Sequence, residues 1–337
     1  MDSSVFKSIS QLLTTPKRIV ITSHVNPDGD AVGSSLGLYW FLSGLGHHVQ
    51  VIIPNSFPSF LAWLPGCDQI HHHKGKKKES DEWIESADVI FCLDFNALNR
   101  LETLEHAIRN AQGIRILIDH HAQPVQEFDH MISIIETSST SEIIFDFIDA
   151  FQMPHLMDQK VAECLFVGIM TDTGSFSYGC NYVNTFTIVA RLISLGIDVE
   201  RIHRLVYDTY TESRMRLLGY SLGEKLKVLD KYHTAYISLT KKELRQFRYQ
   251  IGDTEGIVNY ALSIRGVNLA ILLMEREKYI RLSFRSKGQF SVNDLARKHF
   301  HGGGHRNAAG GNSYTTMEQT LEMIHDLLPH FLDQLNY

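Results

Sequence analysis

The sequence predicts an α/β protein: an amino-terminal domain on a parallel sheet with helices on both faces, followed by a smaller α/β domain. Three observations predict it. Short apolar runs alternate with helical stretches from residue 18 to residue 172. Acidic residues and histidines collect at the carboxyl ends of those runs, where open parallel sheets gather their ligand sites. After a charged helical stretch, the apolar pattern restarts near residue 229. At 337 residues the chain is long for one domain and ordinary for two.

Taken in order, Arg18–Ser23 (RIVITS) reads as a buried strand ending at His24. Residues 30–43 read as a helix with a small-residue face at Gly33, Ser34 and Gly37. Further strands are expected at His48–Ile53, Asp88–Asp94 and Ile114–Asp119, separated by helical stretches, an alternation that argues for a parallel sheet with helices on both faces. Ser138–Ser141 supplies an N-cap for a helix over 141–151, and a helix around 158–170 delivers Asp172. The expected division is a catalytic domain over 1–190, a helical linker over 191–228 and a substrate-binding domain over 229–337. In the last, strands at 233–239, 268–275 and 279–285 surround Thr240–Phe247, which opens with the capping-box spacing Thr240…Glu243. Helices follow at Val292–Phe300 and at about 316–332.

Composition narrows the function. The net charge of −6 argues against a protein that grips long nucleic acid along its backbone, which needs a basic surface. A short anionic ligand stays open, because bound divalent metals invert the local charge. The amino terminus lacks a signal-peptide pattern, and no apolar run reaches the ~20 residues of a membrane helix. Cys67, Cys92, Cys164 and Cys180 are scattered, with Cys92 and Cys164 expected as buried thiols, so a reducing, cytoplasmic setting is expected. His71–Lys78 (HHHKGKKK) is the one biased segment and is expected as a solvated loop. A homodimer is compatible with these features.

Three stretches carry chemistry: His24-x3-Asp28-x-Asp30, Asp119-His120-His121, and Gly302-Gly303-Gly304-His305. Divalent metals that activate water for phosphoester attack prefer carboxylate oxygens supplemented by imidazole. Asp28 and Asp30 leave a strand in a turn around Gly29 and can face two different metals. Asp94 at a neighbouring strand end can bridge both, and His120 with Asp172 can complete the second. Two metals ~3.5–4 Å apart clamp a phosphoryl oxygen and generate hydroxide near neutral pH. Of the adjacent His120 and His121, one can ligate while the other faces substrate, and Asp119 can orient an imidazole from behind. In the second domain, three successive glycines let backbone N–H groups approach an anion, and Arg285 and His305 add charge and a stacking surface. Competing signatures are missing: there is no GxxxxGK[ST] loop, no dinucleotide fingerprint and no GxSxG elbow.

These motifs resemble, in order and nearly end to end, those of the DHH phosphoesterases. His24…Asp28-Gly29-Asp30, Asp94, Asp119-His120-His121 and Asp172 look like the four DHH motifs. Arg285-Ser286 with Gly302–His305 and Arg306-Asn307-Ala308-Ala309-Gly310 resembles the DHHA1 domain. The resemblance implies two Mn²⁺ ions, with Mg²⁺ as the alternative, bound by His24, Asp28, Asp30, Asp94, His120 and Asp172, with Asp94 bridging. It implies that His121, backed by Asp119, contacts the scissile phosphate. It also implies that Arg285, Ser286 and Gly302–His305 bind nucleotide, with the active site in an interdomain cleft. RecJ-type exonucleases carry extra domains, family II pyrophosphatases have a different second domain, and the membrane-bound cyclic-dinucleotide enzymes carry transmembrane segments. The compact two-domain group remains: NrnA-like oligoribonuclease (nanoRNase)/pAp phosphatases, and stand-alone cyclic-di-AMP or linear dinucleotide phosphodiesterases. The partners implied are short RNA oligonucleotides, pAp or dinucleotides, with neither long duplexes nor membranes. A metal-dependent nucleotide sensor without turnover is the non-enzymatic alternative.

Overall fold

The computed structural model describes residues 3–336. The chain divides into two compact units, Met1–Thr209 and Tyr210–Tyr337. The first contains, in order, α1 (Ser3–Leu12), β1 (Arg18–Ser23), α2 (Gly29–Gly44), β2 (His48–Ile53), β3 (His71–His72), α3 (Lys77–Glu85), β4 (Val89–Leu93), α4 (Glu105–Asn110), β5 (Ile114–Asp119), β6 (His130–Ser133), α5 (Thr140–Asp149), α6 (Gln159–Asp172), α7 (Val183–Ser194) and α8 (Val199–Tyr207).

Its sheet has the order β3-β2-β1-β4-β5-β6, and each neighbouring pair is parallel. The chain starts in the middle, winds outward to β3, then returns to place β4 on the other side of β1. The strand order therefore reverses between β1 and β4, the position where open α/β sheets leave a crevice for ligands. Successive residues alternate between two cores. Ile19, Ile21, Phe91, Ile116 and Ile118 pack with α2, α5 and α6, while Val20, Ile90, Cys92 and Leu117 pack with Ile84 of α3 and Ile108 of α4. That double burial is why the strands read as unbroken apolar runs.

The second unit contains α9 (Glu212–Tyr220), β7 (Leu226–Leu229), β8 (Thr234–Leu239), α10 (Lys241–Gln246), α11 (Ile257–Leu262), β9 (Leu269–Glu275), β10 (Ile280–Ser286), α12 (Val292–His299), β11 (Gly303–His305), β12 (Ala308–Ser313), α13 (Met317–Leu327) and α14 (Leu332–Leu335). The sheet order is β11-β12-β10-β9-β8-β7, with β8–β9 parallel and the other pairs antiparallel. One face (Leu282, Phe284, Ile271) is covered by α12 and α13. The β8–β9 half of the other (Ala235, Ile237, Leu272) is covered by α9, α10 and α11. The capping box at Thr240 and Glu243 forms as expected.

The expected linker over 191–228 is not a separate element. Leu192, Ile202 and Val206 are buried in the first unit's core, and Leu217 in the second's, so this stretch is shared between the units. The final helix is shorter than expected: a 3₁₀ turn at Leu328–Phe331, with Pro329 unable to donate, interrupts the α-helical pattern. The strands not foreseen are short or glycine-rich. β3 has two residues, β11 has three, and β12 is AAGGNS, a poor strand sequence that pairing with β10 overrides.

Close approach of α2 to α6 depends on glycine. A Cβ on Gly33 would lie 2.5 Å from the Cys164 carbonyl oxygen and 2.9 Å from the Gly168 nitrogen, both backbone atoms that cannot swing aside. Gly33→Ala should therefore lower stability by about 1–3 kcal/mol, as overpacking does. Gly75→Ala, where the nearest atom would be 3.7 Å away, should change it by no more than about 0.5 kcal/mol. Urea unfolding followed by circular dichroism separates the two; equal midpoints would show that the helices can move apart freely.

Candidate metal centre

The carboxyl ends of β1, β4 and β5 bring the predicted ligands together. His24 follows β1 directly, and its Nδ1–H donates to the Val25 carbonyl at 2.9 Å, which commits Nε2 to the site. Asp28 is the N-cap of α2, one oxygen accepting from the Asp30 and Ala31 N–H groups at 3.1 Å. Its other oxygen lies 3.9 Å from His24 Nε2, so capping and site duty share one carboxylate. Asp30 is in the first turn of α2, and Asp172 is the last residue of α6.

Asp94 follows β4 with a φ of 64°, the left-handed region that aspartate tolerates better than most residues. Its two oxygens face two different imidazoles: Oδ2 lies 3.5 Å from His24 Nε2 and Oδ1 3.4 Å from His120 Nε2. His120 Nε2 is also 3.5 Å from Asp172 and 3.9 Å from Asp30. Three donor groups adjoin in this unit, His24–Asp28–Asp94, Asp30–His120–Asp172 and Asp94–Asp119–His121, each with its atoms within 4.8 Å of one another. His121 Nδ1 is 2.7 Å from Asp119 Oδ1 and 3.9 Å from Asp94 Oδ1, and Asp119 Oδ2 is buried without a hydrogen-bond partner among the described residues.

Thr140 and Ser141, at the start of α5, support this centre, and sequence reasoning assigned that stretch only a capping role. The Thr140 and Ser141 N–H groups donate to Asp30 at 2.7 and 2.9 Å, and the Thr140 hydroxyl donates to Asp94 Oδ1 at 2.9 Å. The helix start thus spends its otherwise unsatisfied N–H groups and its positive dipole end on a buried carboxylate. Ser139 does the capping. Which helix start faces which carboxylate is a tertiary matter with no local sequence signal.

The electrostatics describe a site short of positive charge. Burial, then the charges of Asp94 and Asp172, pushes Asp30 well above the usual carboxylate range. Burial, moderated by His120 and reinforced by Asp28 and Asp94, pushes Asp172 up to about 6. Burial opposes ionisation of Asp94, but its hydrogen bonds with His120 and His24 outweigh that and hold it well below the usual range. Burial likewise opposes a charge on His120, and Asp94 and Asp172 overcome it, pushing His120 up to about 10. Without cations, protons must fill the site; ligating cations would displace them. Carboxylates with imidazoles, and a buried carboxylate oxygen left over, fit a hard or borderline divalent ion.

In the second unit, Arg281, Ser283 and Arg285 share one half-buried face of β10. Arg285 pairs with Ala308, which pairs in turn with His305, so the arginine and the histidine flank a floor of alanine and glycine. Two expectations need correction. The Ser286 hydroxyl donates to the Phe290 carbonyl and accepts from Asn307, so it holds the following turn rather than presenting itself to a ligand. In Gly302–Gly304 two of the three amides are already engaged: Gly302 N–H donates to Ala296, and Gly304 N–H donates to the Asn293 side chain. The glycines serve close packing. A Cβ on Gly302 would lie 2.0 Å from the Gly310 oxygen, and one on Gly304, whose φ is 150°, 2.6 Å from the Ala308 oxygen.

Residues 18–169 match the DHH family N-terminal domain, and residues 230–334 match the DHHA1 domain. A probable bifunctional oligoribonuclease and PAP phosphatase NrnA from Streptococcus mutans is 31% identical over 94% of this chain and 96% of its own. The chain belongs to the DHH family. Another DHH relative, the bifunctional oligoribonuclease and PAP phosphatase NrnA of Thermus thermophilus, is 27% identical over 95% of this chain and 91% of its own. The crystal structure of an exopolyphosphatase-related protein from Bacteroides fragilis is 43% identical, covers 99% of this chain and 98% of its own, and superposes with a TM-score of 0.94. No helix among the described residues is long and apolar enough to cross a membrane.

If Thr140 supports Asp94 as this geometry indicates, Thr140→Val should weaken Mn²⁺ binding roughly 10- to 100-fold in a calorimetric titration, as loss of a supporting hydrogen bond typically does. Thr137→Val removes a buried hydroxyl that has no hydrogen-bond partner among the described residues and should leave the affinity unchanged. Equal effects would show that Thr140 matters only for packing.

Proposed function

We propose that this chain is a metal-dependent phosphoesterase that hydrolyses short oligoribonucleotides to mononucleotides and dephosphorylates pAp to AMP. One observation carries the reading: the two oxygens of Asp94 face His24 and His120 in adjoining donor groups, at the reversal point of a DHH-family sheet. The proposed metals are two Mn²⁺ ions, one at His24, Asp28 and Asp94, the other at Asp30, Asp94, His120 and Asp172. The proposed setting is the cytoplasm.

Bound divalent ions would supply hydroxide near neutral pH and neutralise charge on the phosphoryl oxygens. The chain's own groups do the rest. Asp119 accepts from His121 Nδ1, so Nε2 is the atom that addresses substrate. His121 then donates to the phosphoryl or leaving oxygen. Arg285 and His305 are assigned to the nucleotide body, since a guanidinium can pair with phosphate or stack on a base.

With Mn²⁺, dinucleotides and pAp should turn over, while a 24-mer RNA should be a poor substrate, because long strands need many backbone contacts that an acidic chain cannot offer. A 24-mer degraded as efficiently as a dinucleotide would refute the length preference, cyclic-di-AMP as the preferred substrate would replace the assignment, and binding without turnover would make the protein a sensor. His121→Ala should lower kcat by roughly 10²–10⁴ while two metals remain by elemental analysis. A drop to one metal would reassign His121 as a ligand.

Arg285→Ala should raise KM for oligonucleotides by the equivalent of about 1.5–3 kcal/mol, the worth of a charge-assisted hydrogen bond. It should leave bis-p-nitrophenyl phosphate, which has no nucleotide body, nearly unaffected. Equal losses on both would move Arg285 from substrate recognition to the fold.

A further inference from the structure

The second unit contains a pocket that this reaction does not use. The residues assigned to the nucleotide body lie where β10 faces Ala270 and Ala308. The pocket lies at the other end of β9, beside Glu275, five residues further on and about 17 Å away at strand spacing. Its volume is about 560 Å³, within the range of small-molecule sites. Its walls come from α10, the turn that follows it, and the turn joining β9 to β10.

Four cations, Lys241, Arg245, Arg248 and Arg276, line it against two carboxylates, in a chain whose net charge is −6. The carboxylates are already engaged. Glu277 takes Lys241 at 2.6 Å and Arg245 at 3.6 Å, and Glu275 accepts the Lys241 backbone N–H at 2.9 Å. Arg276 donates to the Tyr249 hydroxyl at 2.8 Å, its guanidinium 4.8 Å from the ring centroid. Arg248 is exposed and makes no ion pair among the described residues. It also holds a φ of 50°, a left-handed conformation that glycine would adopt without strain. Arg248 thus stands exposed on the rim of a cationic pocket.

We propose that this pocket is a second anion site that takes a nucleoside monophosphate. Arg248 and Arg245 hold the phosphate, since guanidinium forks bind it bidentately. The Tyr249–Arg276 pair receives the base, since aromatic and guanidinium planes both stack on bases. Phosphate alone would leave most of the volume and the aromatic wall without a role. The identification of the base-bearing ligand as a reaction product rests on the function proposed above; the anion site itself does not.

The test is AMP binding to the full-length chain in EDTA, so that it does not depend on turnover. AMP should bind the wild type and Arg285→Ala alike, and inorganic phosphate should bind at least tenfold more weakly. Arg248→Gly should lose at least tenfold in AMP affinity while its melting temperature stays level or rises, because the strain is relieved. Arg245→Ala should also weaken AMP, and both variants should keep bis-p-nitrophenyl phosphate turnover with Mn²⁺. Absence of AMP binding, unchanged affinity in Arg248→Gly, loss of AMP binding in Arg285→Ala, or phosphate binding as tightly as AMP would each overturn the proposal. Failure of turnover with AMP binding intact would instead count against the phosphoesterase reading alone.

Discussion

Like charges held together dominate the first unit. Asp30, Asp94 and Asp172 are brought to one point of a sheet edge together with two buried imidazoles. Two unit charges 4 Å apart repel by about 4 kcal/mol at the effective dielectric of a partly buried site, a large part of the 5–15 kcal/mol by which a domain is stable. The fold holds them in place anyway. The start of α5 gives two N–H groups to Asp30 and a hydroxyl to Asp94, and His24 and His120 flank Asp94 on either side. What this scaffold lacks is positive charge, which cations would supply.

The position of the cluster follows from topology. The reversal of strand order opens the crevice between β1 and β4, so His24 and Asp94 leave the sheet side by side. α2 starts in that crevice with Asp28 and Asp30, and it packs so closely on α6 that Gly33 has backbone where a side chain would be. That crossing brings Asp172, at the end of α6, back to the same point. A further contact reinforces it: a Cβ on Gly168 would meet the Asp30 carboxylate at 2.8 Å. Helix packing and ligand geometry are therefore one constraint, and a change to either disturbs both.

Much of this was legible in the sequence, for identifiable reasons. β1, β2 and β5 were read to the residue because each is a short, mostly apolar run whose carboxyl half is buried. The six candidate ligands were visible because carboxylates and histidines at strand ends are conspicuous, and the motif resemblance grouped them. Thr140 was hidden because its value depends on which helix start faces Asp94. The glycine run was misread because spacing cannot reveal that Asn293 and Ala296 take the N–H groups of Gly304 and Gly302. β12 was missed because AAGGNS pairs only through its neighbours, and Ser286 was misassigned because its partners, Phe290 and Asn307, meet it only in the fold.

The central claim is that Asp94 joins two metals. Anomalous diffraction at the manganese edge, from crystals grown with Mn²⁺, tests it most directly. The account predicts two peaks, both in contact with Asp94, one beside His24 and Asp28 and the other beside Asp30, His120 and Asp172. A single peak, or two peaks of which one does not touch Asp94, would contradict it.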